Sequence, residues 1–277
     1  MTVLLAIVAG ALIGLSLGAL GGGGSILAVP VLVYGLGQTA AQATTGSLVV
    51  VGATALIGAV TARRAGNALL GRGLAFGAVA TGGAVVGARA SASVPDAVLL
   101  ASFAALLVVV ASLMVVREVR GRRAGASTAR PLRVAVDDPI LTFSPTFACQ
   151  CPRALKVLVT ATVVGLLTGF LGVGGGFLVV PALVLALGLP MRQAAGTSLV
   201  VIAVTSAVAF TVRVGAGVAP DWTLVLLLTG AAVLFGHAGA RLATRVSTAH
   251  LQAAFTTLLV LVAGYSAWQS VPALMAI

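Results

Sequence analysis

The chain is 277 residues long, 60% hydrophobic and only 8% charged, with a mean hydropathy of +1.19. A soluble domain carries roughly 25% charged residues, so the composition excludes one and defines a polytopic membrane protein. The net charge of +11 looks like a nucleic-acid signature. However, Arg117, Arg120, Arg122, Arg123, Arg130, Arg133, Arg153 and Lys156 surround a single central loop, which positive-inside topology explains better than nucleic-acid binding does.

Near-continuous apolar runs fall at 3–20, 26–36, 43–62, 74–88 and 97–116, and again at 155–171, 177–189, 195–212, 222–243 and 251–271. Most approach the ~20 residues that a spanning helix needs. The first has no basic residues ahead of it and is read as part of the mature protein rather than a signal peptide. The short runs, 26–36 and 177–189, each follow a glycine cluster, Gly21-Gly22-Gly23-Gly24-Ser25 and Gly172-Val173-Gly174-Gly175-Gly176, and each cluster is trailed by a proline at the same distance, Pro30 and Pro181.

The two halves are in register. Adding 151 carries Gly14, Gly18, Leu20, Gly21, Leu27, Pro30, Gly37, Gln42, Ser47 and Leu48 onto Gly165, Gly169, Leu171, Gly172, Leu178, Pro181, Gly188, Gln193, Ser198 and Leu199. The expected fold is therefore all-α, with membrane repeat 1 at 2–116, a basic cytoplasmic linker at 117–153 and membrane repeat 2 at 154–271. Each repeat has a glycine-broken first element followed by three long transmembrane helices. The linker, with Pro131, Asp137, Asp138, Pro139 and Pro145, reads as a loop. Arg63, Arg64 and Arg72 fall on its side of the membrane. In the second half the equivalent loop carries Arg213 and Asp221, and the opposite end carries Arg241 and Arg245. That reversal of bias makes the repeats inverted, provided the broken element is a hairpin or two short crossings rather than one kinked span.

Glycines at membrane depth cost about 1 kcal/mol each in helix propensity and free backbone groups where no water satisfies them. Paired glycine-interrupted segments point to a transporter's binding site. Gly22, Gly23, Gly24 and Ser25, with Val173, Gly174, Gly175 and Gly176, are accordingly candidate anion ligands, the alternative being close helix packing. The packing reading is preferred for Gly14/Gly18 and Gly165/Gly169. A second paired motif, Ala43-Thr44-Thr45-Gly46-Ser47-Leu48 and Ala194-Ala195-Gly196-Thr197-Ser198-Leu199, places Thr44, Thr45, Ser47, Thr197 and Ser198 as helix caps, the alternative being that Thr45, Ser47, Thr197 and Ser198 hydrogen-bond the substrate. Arg89 and Arg241, in paired Gly-Ala-Arg triplets, either snorkel to the interface or attract the anion, and His237 is either simply hydrogen-bonded or a proton-coupling group.

The acids Asp96, Glu118, Asp137, Asp138 and Asp221 all fall at loops or helix ends, which disfavours a cation site. The glycine clusters lack the Lys-Ser/Thr of a phosphate loop. Cys149 and Cys151 lack the four-ligand spacing of a zinc site and read as reduced thiols, the alternative being capture of a metal or sulfur species. No enzyme constellation, cofactor or metal site is expected, and the expected partners are a small anion and the lipid bilayer.

The glycine clusters with their trailing prolines, together with Gly196-Thr197-Ser198-Leu199 and its degenerate partner Thr45-Gly46-Ser47-Leu48, resemble the sulfite exporter TauE/SafE family of membrane permeases. Leu171-Gly172-Val173-Gly174-Gly175-Gly176-Phe177 is the most specific stretch. The resemblance implies a secondary transporter of the inner membrane for sulfur-containing anions such as sulfite or sulfonates. The first half departs from the pattern with Thr44-Thr45-Gly46-Ser47 and with Ser25 in place of the last glycine, so the two half-sites need not contribute equally. The rival readings are a passive anion channel and a non-transporting membrane scaffold.

Overall fold

The computed structural model describes residues 2–91, 93–123, 151–172, 175–215, 217 and 220–275. Val173, Gly174, Cys149 and residues 124–150 of the linker lie outside them. Ten α-helices follow in order: α1 (Thr2–Leu20), α2 (Gly23–Pro30), α3 (Ala40–Arg64), α4 (Leu70–Ser91), α5 (Asp96–Arg123), α6 (Cys151–Leu171), α7 (Gly176–Ala186), α8 (Met191–Gly215), α9 (Trp222–Arg245) and α10 (Thr248–Met275). A π-helical turn, Val31–Gly35, extends α2. Helix α5 thus runs seven residues into the stretch read as linker, and α6 begins within it.

Among the described residues six helices are long and apolar enough to cross a membrane, three from each half: Ala40–Arg64, Leu70–Ser91, Ala97–Val116, Met191–Gly215, Trp222–Ala243 and Ala249–Ser266. The chain is an all-α polytopic membrane protein. Its outward face is apolar, with Trp268 80% and Leu234 72% exposed, as a surface solvated by lipid tails requires.

The breaks have a local cause. Gly21 (φ +71°) and Gly172 (φ +64°) adopt the left-handed conformation that ends a helix. Their amides still donate to Leu17 O (2.8 Å) and Thr168 O (2.9 Å), closing α1 and α6. Helix α2 then folds back on α1, since a Cβ added at Gly24 would lie 2.7 Å from Leu17 N. The broken element is therefore not a single kinked span.

The helix starts differ from one sequence expectation. Thr39 caps α3, its hydroxyl accepting from Gln42 N (3.3 Å), and α8 starts at Met191. Thr44, Thr45, Ser47, Thr197 and Ser198 therefore lie inside their helices and do not cap them, because both helices begin earlier than the apolar runs do.

Packing repeats across the halves. Helix α1 lies along α9 and α4 along α6, while α3 pairs with α8 and α5 with α10. The first two pairs are backbone to backbone. An added Cβ would lie 2.7 Å from Ala232 Cα at Gly14, 2.9 Å from Ala240 N at Gly18, and 2.8 Å from Ala84 Cα at Gly169. The Gly-xxx-Gly faces are thus packing surfaces. Helices α3 and α8 run antiparallel: Arg213 meets Thr44, Gly52 faces Ser206, and Gly58 faces Leu199.

Candidate functional site

The two glycine breaks meet at the centre of the molecule. A Cβ at Gly22 would lie 2.6 Å from Gly176 C, and one at Gly176 would lie 3.1 Å from Gly22 Cα. Ser25 joins the halves here: its hydroxyl donates to Gly22 O (2.7 Å) and accepts from Phe177 N (3.2 Å). Phe177 N belongs to the first turn of α7, so the side chain satisfies an amide that the helix itself leaves unpaired.

The paired serines brace the same junction reciprocally. Ser198 Oγ donates to Gly21 O (2.8 Å) and to Ala195 O (2.7 Å), and Ser47 Oγ donates to Gly172 O and to Thr44 O (2.9 Å). Each serine thereby serves a helix-terminal carbonyl of the opposite repeat. Ser47→Ala or Ser198→Ala should each lower stability by about 1 to 2 kcal/mol through the buried acceptor left behind, with the double variant, whose two braces share one junction, losing more than either alone. Thermal unfolding in detergent measures this, and unchanged melting would mean that the braces contribute nothing.

A cavity of about 320 Å³ opens beside this junction. It is lined by Gly18 and Gly21 of the α1 end, Arg64 and Asn67 at the α3 end, Arg192, Ala195 and Gly196 of the first turns of α8, and Arg241 of α9. At about 30 Å³ per water it has room for roughly ten waters, ample for a small hydrated anion. Among the described residues no carboxylate lines it. The carbonyl ends of α1, α3 and α9 offset about half a charge each, and the N-terminal end of α8 restores about as much, so three arginines leave a net of about +2. Arg192 is held by one bond, Nη2 to Val246 O (3.1 Å), and its buried Nε has no partner.

The sequence candidates distribute unevenly around this cavity. Arg241 lines it, with Gly21, Ala195 and Gly196 of the paired motifs. Gly22, Gly23, Gly24, Ser25, Gly175 and Gly176 pack behind it, and Thr45, Ser47, Thr197 and Ser198 bond to protein atoms: Thr45 Oγ1 donates to Ala41 O (2.9 Å), and Thr197 Oγ1 accepts from Leu69 N (3.1 Å) ahead of α4. Arg89 is exposed in the last turn of α4, at the opposite end of the α3/α8 pair from Arg241. His237 lines a crevice of about 10 Å³, no more than a single water needs, that adjoins the cavity through Gly18, Gly58, Thr61 and Leu199. Arg64, Asn67 and Arg192 are cavity residues that the sequence motifs do not mark.

Arg213 also departs from the sequence reading. It is not a loop charge but lies in the last turn of α8, 4% exposed, donating to Thr44 Oγ1 (2.8 Å), Gly169 O (3.1 Å) and Phe170 O (3.0 Å).

A helical bundle with six candidate spans among the described residues, whose glycine-broken elements meet in its interior beside a cationic cavity, has the architecture of a membrane transporter. The family model described as Sulfite exporter TauE/SafE matches residues 6–266, and the chain belongs to that family of membrane transporters. It is 33% identical to a protein of Xylella fastidiosa (strain 9a5c) and 32% identical to one of strain Temecula1, each described as a probable membrane transporter protein. Each match runs over 270 residues, covering 96% of this chain and 95% of the relative. No solved structure matches.

Proposed function

We propose that the protein is a secondary transporter that carries a small sulfur-containing oxyanion, such as sulfite or an organosulfonate, across the cytoplasmic membrane by alternating access. The observation that carries this reading is the cavity beside the glycine break, lined by Arg64, Arg192 and Arg241 and by no acid. Guanidinium groups suit a tetrahedral or pyramidal oxyanion because their planar fork gives two parallel donors. Gly21 and Gly196 bring the cavity walls together against the backbones of Ala195 and Asn67, while Ser25, Ser47 and Ser198 hold the junction against which an anion would sit.

The repeats are inverted in this reading. Homologous α3 and α8 run antiparallel, and each unit traverses an odd number of elements because its broken element folds back. Arg64, Arg192 and Arg241 then share one end of the bundle with the end of α5 and the start of α6, which flank the basic linker, and positive-inside bias puts that end in the cytoplasm. The cavity faces inward, and the other end is closed by Arg213 and by the packing of Leu48, Ala88 and Ala209. Closure at one end favours a carrier over a channel.

The test is a thermal-stability titration of the purified protein with sulfite, thiosulfate and taurine. An anion that binds only the folded state stabilises it by about 2.7 kcal/mol at a hundred times its Kd. A saturable rise in melting temperature with at least one of the three is expected, and no shift with any of them contradicts the reading.

A further inference from the structure

We propose that Arg213 is a second anion-binding station, occupied by the helix-end carbonyls of α6 while its end of the bundle is closed and by the transported oxyanion when that end opens. The inference rests on the transporter reading above.

The register of 151 pairs Arg213 with Ala62, and Ala62 lines the open cavity. The elements around Arg213 are the counterparts of those around the cavity: the C-terminal turn of α6 replaces that of α1, and the first turns of α3 replace those of α8. Arg213 therefore stands where a mirror cavity would form, and its guanidinium fills that space.

The second step is charge. Every partner of Arg213 is neutral, a hydroxyl and two carbonyls, with no carboxylate among them. A buried cation in a membrane span is costly and is retained where it has a partner or a task. Its Nε is buried and unpartnered, so the fork has donor capacity to spare. Backbone carbonyls carry only partial charge, and an oxyanion is the stronger acceptor for the same donors. An anion reaching this point would displace Gly169 O and Phe170 O from Arg213 and release α6 from α8, which couples occupancy to opening of the closed end.

The third step is that the arrangement exists at one end only. Residue 62 is alanine, so the cytoplasmic end has no equivalent latch and relies on arginines at its rim. One end is thus held shut by an anion ligand, and the other stands open for loading.

Two measurements on the full-length protein test this. In wild-type protein, sulfite at a concentration that saturates the thermal shift should speed amide hydrogen exchange several-fold in residues 40–48 and 206–215. In Arg213→Gln, sulfite should still raise the melting temperature through the open cavity, while counterflow of radiolabelled sulfite in proteoliposomes falls at least ten-fold. Arg213→Lys, which keeps the charge and loses the fork, should fall between the two. Wild-type counterflow in Arg213→Gln, or exchange in the two segments that does not respond to sulfite in a wild-type protein that binds it, overturns the assignment. The wild-type exchange measurement decides the matter if Arg213→Gln does not fold. Absence of any thermal shift or counterflow in wild type with sulfite, thiosulfate and taurine is a separate outcome. It removes the transporter reading and this inference with it.

Discussion

Gly22→Leu should abolish the folded protein, and Gly22→Ala should already cost about 4 kcal/mol or more. A single extra methylene in a packed core typically costs about 1 to 3 kcal/mol because neighbouring side chains can adjust. At Gly22 the obstruction is the backbone of Gly176, which cannot move without separating the two broken elements. Losses above about 4 kcal/mol arise from a short set of mechanisms, and overpacking in the core is one of them. Neighbouring glycines supply the controls. A Cβ at Gly23 meets the flexible ends of Leu20 and Leu258 at 2.9 and 3.1 Å, so Gly23→Ala should be far milder. Gly82 lies in α4 with nothing within 4 Å of an added Cβ, so Gly82→Ala should be neutral or stabilising by up to about 1 kcal/mol. Melting temperatures and monodispersity in detergent rank the three, and equal tolerance of all of them would contradict the central contact.

Arg192→Gln should weaken sulfite binding by about 10- to 150-fold, the equivalent of one charge-assisted hydrogen bond of about 1.5 to 3 kcal/mol. Arg192 is the cavity arginine whose Nε is buried and unpartnered, and it projects from the first turn of α8, where the helix dipole also favours an anion. Its bond to Val246 O makes a separate, smaller contribution to stability, so the variant should melt slightly lower while losing most of its ligand-induced shift. Arg89→Gln removes a charge of the same sign at the opposite end and should leave the affinity unchanged. An Arg192→Gln protein with wild-type affinity would mean that the anion binds elsewhere.

Much of the architecture is legible in the residues. The register of 151, the glycine clusters and the trailing prolines correspond to two units of a broken element and three long helices. The Gly14/Gly18 and Gly165/Gly169 spacing corresponds to backbone-close helix crossings. The destination of the hydroxyls is not legible, because Ser198 bonds to Gly21 and Ser47 to Gly172 across the two repeats, and no local pattern reports a partner more than a hundred residues away. Arg213 resembles a loop charge because it stands two residues before the end of α8, and only the approach of α6 buries it.

One signal in the sequence does mark Arg192 and Arg213. In the register of 151, Arg192 falls on Ala41 and Arg213 on Ala62. Comparing the repeats for positions where only one half carries a charge selects both residues, whereas comparing them for identity passes over them. Shared glycines and serines build the pseudo-symmetric frame, and the unshared arginines make its two ends chemically different.

Counterflow of radiolabelled sulfite into proteoliposomes distinguishes carrier-mediated movement of a sulfur oxyanion from passive flux. The assay compares unlabelled sulfite inside against none, with and without an imposed pH gradient, and uses empty liposomes as the reference. Saturable, protein-dependent uptake that accelerates when unlabelled sulfite is present on the far side is expected, and a response to the pH gradient would assign proton coupling. Flux that neither saturates nor responds to sulfite on the far side, or no protein-dependent flux of sulfite, thiosulfate or taurine, would contradict it.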